Sequence, residues 1–118
     1  MKRLSALSIL LSSCSVMPQA SEQIFEAAYV WGAEVNTLRV CGSNSVYWTD
    51  ATTWVLGPVV EYYKTHTTEP YTEIYVRFRG HFHDEEVDGF AKQYDGLLHV
   101  SEVLEMTAVV PENCRNNK

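Results

Sequence analysis

The stretch PYTEIYVRFRGHFH, residues 70–83, decides the fold because it is the clearest strand of the chain. Successive side chains of a strand point to opposite faces of the sheet. One alternate set is apolar and predicts a buried face: Ile74, Val76, Phe78, Gly80 and Phe82. The other set predicts a face toward solvent or a groove: Tyr75, Arg77, Arg79, His81 and His83. The stretch therefore predicts one strand of a half-buried sheet.

Extended segments and one helix precede this strand. Apolar alternation and turn residues predict extended segments at three places: 25–31, 35–40 and 46–48. The segment at 35–40 is either a second strand or the second half of one long bent strand. Asp50 stands where a helix N-cap is expected, ahead of a helical pattern at 51–66. Gly57-Pro58 interrupts that pattern, so we expect a kink there or two short helices.

One long strand is expected after residue 96. Residues 97–110 predict it, with an inner face of Leu98, Val100, Leu104 and Met106 and a bulge near Glu102. The resulting order is three strands, a helix and two strands, the element order of the OB-fold. We therefore expect a mainly β protein, a small five-stranded OB-like barrel with one kinked helix between strands 3 and 4. The alternative is an antiparallel α+β sheet.

The beginning of the chain predicts export. Lys2 and Arg3 precede an apolar run at 4–11, which is far shorter than the roughly 20 residues that span a bilayer. Leu11-Ser12-Ser13-Cys14 resembles the bacterial lipobox, which predicts a signal peptide at 1–13 and lipid on Cys14. The alternatives are cleavage after Ala20, or a short N-terminal helix packed on the domain. Proline at position 18 disfavours that cleavage, because a small residue is expected there.

The lipobox assignment implies a domain organisation and a cellular location. Residues 14–23 are then a flexible tether and 24–115 the folded domain. A lipobox cysteine normally carries three acyl chains, and two or more anchor a protein stably. The residue after Cys14 is Ser15 rather than aspartate. By resemblance to the enterobacterial sorting pattern, this favours the outer membrane, facing the periplasm.

Charge and cysteines agree with that compartment. Without Lys2 and Arg3, seven basic residues face fifteen acidic ones, a net charge of −8. Such a surface repels phosphate backbones, so nucleic acid is not an expected partner. Cys41 and Cys114 remain once Cys14 is set aside, and an even pair in an oxidising compartment predicts a disulfide. The alternative is a metal-binding or redox pair, although no C-x-x-C spacing is present.

Several short motifs together resemble the C-terminal OB domain of NlpE-type lipoproteins. These motifs are RVCG at 39–42, VYW at 46–48, EPY at 69–71, RGHF at 79–82 and the terminal Cys114. The resemblance implies a barrel, a pairing of Cys41 with Cys114, and a link to envelope stress signalling or copper homeostasis. NlpE proteins also have an N-terminal domain with a C-x-x-C, which this chain lacks. Roles that rest on that motif do not carry over.

Histidines are the sharpest chemical feature. His81 and His83 share one strand face, and His99 is expected opposite them on the last strand. Imidazoles suit copper or zinc, and carboxylates of Asp84, Glu85 or Glu86 would complete a site. The alternative is that these histidines are solvated strand residues with no ligand. No resident cofactor is otherwise expected.

Other chemistry is less well supported. The chain has no G-x-S-x-G motif, no phosphate-binding glycine loop and no spare cysteine, so we expect no enzyme activity. Tyr75, Arg77 and Arg79 are the candidate ligand-binding face, although the arginines would also pair with Glu102 or Glu105. Six aromatic residues are expected either to fill the core or to stack on a glycan or peptide: Tyr29, Trp31, Tyr47, Trp48, Tyr71 and Tyr75. The expected function is a non-catalytic envelope module that binds or senses an envelope protein or glycan. The alternative is a periplasmic metal-binding protein that uses His81 and His83.

Overall fold

The computed structural model describes residues 21–83 and 92–115. The elements are β1 (Gln23–Gly32), β2 (Val35–Val40), β3 (Val46–Asp50), α1 (Thr53–His66), β4 (Ile74–His83), β5 (Leu97–Thr107) and a 3₁₀ turn (Glu112–Cys114). Five strands and a helix between the third and fourth strands therefore confirm the predicted element order. Asp84, Glu85 and Glu86, the carboxylates expected beside the histidines, lie outside the described residues. No helix in the described ranges is long and apolar enough to cross a membrane.

The five strands close into a barrel in the order β1-β2-β3-β5-β4. All neighbouring pairs are antiparallel except β3 and β5, where Trp48 lies opposite Leu97 and Asp50 opposite His99. This parallel pair closes the sheet on itself. The OB-like barrel is therefore confirmed, and the alternative of an antiparallel α+β sheet is wrong.

The barrel interior holds a core of aromatic and aliphatic side chains, and α1 contributes to it. Phe25 and Phe78 stack with their ring centroids 5.3 Å apart. Tyr63 of α1 meets Tyr29 of β1 edge to face at 6.0 Å, and both rings are buried. Buried Val59 joins them from the helix. The helix thus places its inner face against the barrel core, near the C-terminal end of β1.

The start of α1 differs from the expectation. Asp50 is the last residue of β3, and the N-cap position belongs to Thr52, which makes no side-chain capping bond. The helix is continuous through Pro58, so the expected division into two short helices is wrong. Proline at 58 removes the hydrogen bond to the carbonyl four residues earlier, and its ring crowds that carbonyl. Burial of Val59 and Tyr63 offsets that loss because it places large apolar area in the core.

β5 carries irregularities close to the predicted bulge. Its register against β4 shifts twice, between Arg77 and Phe78 and between Arg79 and Gly80. These shifts flank Glu102 and confirm the bulge there. They also bring Val103 rather than Leu104 against the core, because each extra residue reverses the alternation of faces. The strand ends at Thr107 instead of Val110.

Gly80 is the point of closest approach between β4 and β5. A Cβ added there would lie 1.9 Å from the backbone oxygen of His99. Carbon and oxygen at that distance overlap, so the register shift beside this residue depends on the missing side chain. Gly80 belongs to the apolar set predicted at 70–83. It is required there because the backbones of β4 and β5 approach closely, and it adds no apolar side chain to the core.

The C-terminal segment is fastened to the outside of the barrel. Cys41 and Cys114 form a disulfide, which confirms that prediction. Arg39 adds to the junction, since its guanidinium donates to both carboxylate oxygens of Glu73, at 3.0 and 2.8 Å, and to the carbonyl of Cys114 at 2.8 Å. Cys114 packs on Tyr75, which is only 5% exposed. The outer face of β4 is therefore covered at that position.

Candidate functional site

Three histidines meet on the outer surface of the barrel. His81 of β4 lies directly opposite His99 of β5, as the sequence predicted, and His83 follows two residues along β4. Ring centroids are 4.8 Å apart for His81 and His99, 5.9 Å for His81 and His83, and 6.3 Å for His83 and His99. Their side chains are about one quarter exposed, so solvent reaches all three rings.

Two carboxylates hold these rings. The Nδ1 atom of His99 lies 2.8 Å from Oδ2 of Asp50, and Nε2 of His83 lies 3.7 Å from the same oxygen. Glu22, just before β1, contacts Nδ1 of His81. We call the five residues His81, His83, His99, Glu22 and Asp50 the histidine face. Three of its members are the histidines predicted from the sequence.

Sequence reasoning missed both carboxylates. It placed the acidic partners at Asp84, Glu85 and Glu86, which lie outside the described residues. Asp50 reaches His99 because β3 and β5 run parallel, a pairing that a local pattern does not reveal. Glu22 was assigned to the tether. The alternation of the first strand, continued three residues toward the N-terminus from Phe25, was the available signal for the place of Glu22 beside β4.

The electrostatics of the histidine face favour an ionised Glu22. Hydrogen bonds from Ser101 and then from His81 lower the pKa of the Glu22 carboxyl below its usual 4.5. Proximity to His81 and His99 acts in the same direction, and partial desolvation opposes it. A carboxylate that meets Nδ1 favours the tautomer with the proton on that atom. Nε2 is then the nitrogen with the lone pair on His81 and His99.

The histidine face is not a formed metal site. Within residues 21–83 and 92–115, no three His, Cys, Asp or Glu side chains are placed to hold one metal ion together. The arrangement presents imidazole nitrogens to solvent. It can also keep two imidazoles oriented through their carboxylates, an arrangement common around metal-binding histidines.

The candidate ligand-binding face of Tyr75, Arg77 and Arg79 is covered at Tyr75 and exposed at the two arginines. Tyr75 is buried beneath the disulfide-bonded segment, and its hydroxyl donates to Glu26 at 2.6 Å. Burial, followed by this contact, raises the pKa of Tyr75 to about 12. The expectation that it faces solvent is wrong, because the C-terminal segment returns across β4.

The two arginines form the cross-strand pairs that the sequence anticipated. Arg77 contacts Glu105 at 3.4 Å, and Arg79 contacts Glu102. Each cation is therefore matched by an anion on β5, which removes most of its attraction for an external anion. Pairs as exposed as these contribute about 0–1 kcal/mol to stability.

The six aromatic residues divide between core and surface. Tyr29 is 1% exposed and its hydroxyl donates to Asn36 at 2.7 Å. Trp31, Tyr47 and Trp48 are partly buried, whereas Tyr71 is 60% exposed. The core interpretation thus holds for Tyr29 and Tyr75, and Tyr71 presents most of its ring to solvent.

A shallow cleft lies at the end of the barrel where α1 finishes. Its volume is about 260 Å³, and its lining residues are Trp31, Tyr63, Lys64, Thr67, Thr68, Glu69 and Pro70. The ammonium of Lys64 sits 5.6 Å from the centroid of the Trp31 ring. We call this feature the aromatic cleft. The sequence singled out its main ring, Trp31, but not the residues at 64–69 that surround it.

The predicted lipid attachment residue, Cys14, lies outside the described residues, so its assignment stays a prediction. The same holds for the signal peptide and for most of the tether.

The described residues thus supply a disulfide-bonded barrel, a histidine face and an aromatic cleft. Comparison of the chain with protein-family models, curated proteins and solved structures found no match to any of them.

Proposed function

We propose that this chain is a non-catalytic lipoprotein, anchored through Cys14 at the periplasmic face of the outer membrane. Its barrel binds or senses another component of the envelope. The observation that supports this most is the disulfide between Cys41 and Cys114. Disulfides persist in oxidising compartments and are rare in the cytosol, so the bond supports export.

The cysteine inventory supports the anchor. The chain has three cysteines, and the disulfide uses two of them. Cys14 is left, and it follows a basic start and a short apolar run in a lipobox-like sequence. A lipid on this residue explains why a third cysteine is present in an exported chain, where a free thiol would otherwise be reactive.

The surface supports binding to a protein or a glycan rather than to nucleic acid. The mature chain has a net charge of −8 and its exposed arginines on β4 are paired with glutamates. A link to envelope stress or copper homeostasis rests only on the resemblance to NlpE-type lipoproteins. That part of the proposal depends on the partner, which a crosslinked pull-down from envelope fractions would identify.

The anchor is tested by expressing the full chain in a Gram-negative bacterium with radiolabelled palmitate. We expect label on the wild-type protein, recovery in outer-membrane fractions, and loss of both in a Cys14→Ser variant. Ser12→Ala is the matched control, because it changes a neighbouring small residue and keeps the cysteine. A wild-type protein without label, with an N-terminus at Ser21, would show that cleavage follows Ala20 and that no lipid is attached.

A second candidate is binding of Cu²⁺ or Zn²⁺ at the histidine face. The observation that favours it is that His81 and His99 each meet a carboxylate through Nδ1, which presents Nε2 as the ligand atom. The rings must turn for their nitrogens to converge on one ion, because they are not placed to do so now.

Calorimetric titration with each metal tests this second candidate. We expect His81→Ala and His99→Ala to weaken binding about tenfold or more if the site is real. His66→Ala is the matched control, since that histidine lies on α1 and stacks on Tyr62. Equal affinities for the wild type and for the protein with all three face histidines changed would exclude the site.

A further inference from the structure

We infer that a small polar cavity beside the disulfide binds one phosphate group, either the free ion or the phosphate of an esterified headgroup. Its volume is about 210 Å³, and its lining residues are Arg39, Gly42, Ser43, Asn44, Asn113 and Arg115. We call it the arginine cavity. The inference names a ligand for the binding module proposed above, and it rests on that proposal only for the source of the phosphate.

The lining of the arginine cavity is rich in hydrogen-bond donors. Its two arginine side chains carry donors alone, and its asparagine amides and serine hydroxyl each add at least one more. None of the described lining residues is acidic. A lining of this kind suits a ligand with many acceptors and a negative charge, and it repels a metal cation.

Arg39 is a buried cation with one nitrogen left unused. Its side chain is only 8% exposed. Nε and Nη2 donate to the carboxylate of Glu73, and Nη2 also donates to the carbonyl of Cys114. Nη1 makes no hydrogen bond to any described residue, and it is not among the polar atoms closed off from solvent. Because the guanidinium is rigid and planar, Nη1 lies away from Glu73 and can donate to a ligand in the cavity.

Arg115 supplies a second cation from a different segment of the chain. Its Nε donates to the carbonyl of Val110 at 3.2 Å, which restrains the side chain. Its two terminal nitrogens make no hydrogen bond or ion pair with a described residue. Glu73 already balances the charge of Arg39. The net positive charge of the arginine cavity therefore comes from Arg115, and the affinity for an anion should depend on it.

The wall of the cavity formed by residues 40–43 is a defined turn. The backbone N–H of Ser43 donates to the carbonyl of Val40 at 3.1 Å, and Gly42 has a φ of 78°, as in a type II turn. A Cβ on Gly42 would meet no atom within 4 Å, so glycine serves the left-handed backbone rather than the space. The disulfide joins this turn to the segment 113–115. Both walls are therefore in place before a ligand arrives, which lowers the entropy lost on binding.

Size and charge favour a single phosphate group over larger ligands. A cavity of about 210 Å³ has several times the roughly 30 Å³ of one water molecule, and it is smaller than the roughly 300–1,000 Å³ of drug-sized ligands. Nucleic acid needs cations along many phosphates, and the mature chain is net negative. A phosphate presents oxygens in several directions, which suits donors from two segments, whereas a carboxylate presents two oxygens in one plane.

The test uses the full, oxidised chain in a detergent whose headgroup contains no phosphate. The probes are inorganic phosphate, glycerol 3-phosphate and acetate, each added at constant ionic strength and followed by NMR. We expect a phosphate probe to bind with a Kd of about 1 mM or less and to shift the resonances of Gly42, Asn44 and Arg115. Tighter binding of inorganic phosphate would identify the free ion as the ligand, and tighter binding of glycerol 3-phosphate an esterified headgroup. Absence of saturable binding for both phosphate probes overturns the inference, as does acetate binding equally tightly.

Arg115→Gln is the decisive variant, because Arg115 is exposed and its loss leaves the contacts of Arg39 in place. We expect its affinity for phosphate to fall about tenfold while the melting temperature is kept. Lys92→Gln is the matched control, since it removes the same charge from an exposed residue outside the cavity. That control should bind within about twofold of the wild type, because salt screens a distant surface charge.

An Arg115→Gln protein that binds phosphate as well as the wild type overturns the inference. So does a Lys92→Gln protein that loses affinity equally, because the attraction would then come from the overall charge of the chain. Palmitate labelling at Cys14 is measured on the same preparations. A labelled chain that binds no phosphate counts against the arginine cavity alone, and an unlabelled chain that binds phosphate counts against the anchor alone.

Discussion

Opening the disulfide should remove a large part of the stability of the barrel. Cys41 and Cys114 are 73 residues apart in sequence, so their bond closes a long loop in the unfolded chain. In the chain-entropy model a loop of this length stabilises the fold by about 4 kcal/mol. Small domains have only about 5–15 kcal/mol of net stability. For a domain of this size the loss corresponds to a fall in Tm of roughly 15–30 °C.

The measurement is urea unfolding of three samples, followed by circular dichroism: the oxidised wild type, the reduced wild type and a Cys41→Ala/Cys114→Ala variant. Reduction opens the loop and leaves both sulfur atoms in place. The variant also removes buried sulfur next to Ala28 and Tyr75, so we expect it to be less stable than the reduced protein. A loss below about 1 kcal/mol on reduction would refute the reasoning, because the hydrogen bonds of Arg39 would then hold the segment without the bond.

Three further predictions concern single residues. Gly80→Ala should lower the free energy of unfolding by about 3 kcal/mol, because the added Cβ meets the backbone of His99. Gly57→Ala should be neutral or stabilising by up to about 1 kcal/mol, because a Cβ there meets no atom within 4 Å. Equal melting temperatures for the two variants would contradict this. The pKa of Tyr75 is raised to about 12, so its share of stability is complete below pH 10 and is lost as the pH rises toward 12. Between pH 10 and 12 the melting temperature of Tyr75→Phe should therefore fall less than that of the wild type. Equal falls in melting temperature for the two proteins would count against the prediction. The pKa of Glu22 is lowered, so its contribution to the free energy of unfolding is present above pH 4.5 and is lost below it. The difference in stability between the wild type and Glu22→Gln should therefore close in acid. A difference that stays unchanged at low pH would contradict this.

The strand pattern at 70–83 predicted the interior of the barrel well. Ile74, Val76 and Phe78 are fully buried because an alternating pattern is a local property that the closed sheet preserves. Phe82 is 39% exposed because it lies near the end of β4. Tyr75 departs from the pattern for another reason, since the disulfide brings a distant segment across it. Alternation carries no information about what covers the outer face of a sheet.

The histidine face was only half predictable. His81 and His83 share a face by local spacing, and His99 followed from an antiparallel neighbour. Asp50 comes from the parallel pairing of β3 with β5, which depends on barrel closure. The aromatic cleft was less predictable still, because its floor comes from β1 and its wall from the end of α1 and the following turn. Bulges in β5 likewise exchanged Leu104 for Val103, since an inserted residue resets the alternation.

The parallel closure of β3 against β5 also sets the order in which the molecule can assemble. Asp50 and His99 are 49 positions apart, so the seam forms only after most of the chain is present. A chain that emerges N-terminus first must wait with the edges of its early strands open. Folds dominated by such distant pairings reach the native state slowly, and their unfinished forms are prone to association. Cys114 follows the residues of the seam in the chain, so the disulfide likewise has to wait until nearly all of the barrel sequence has been made.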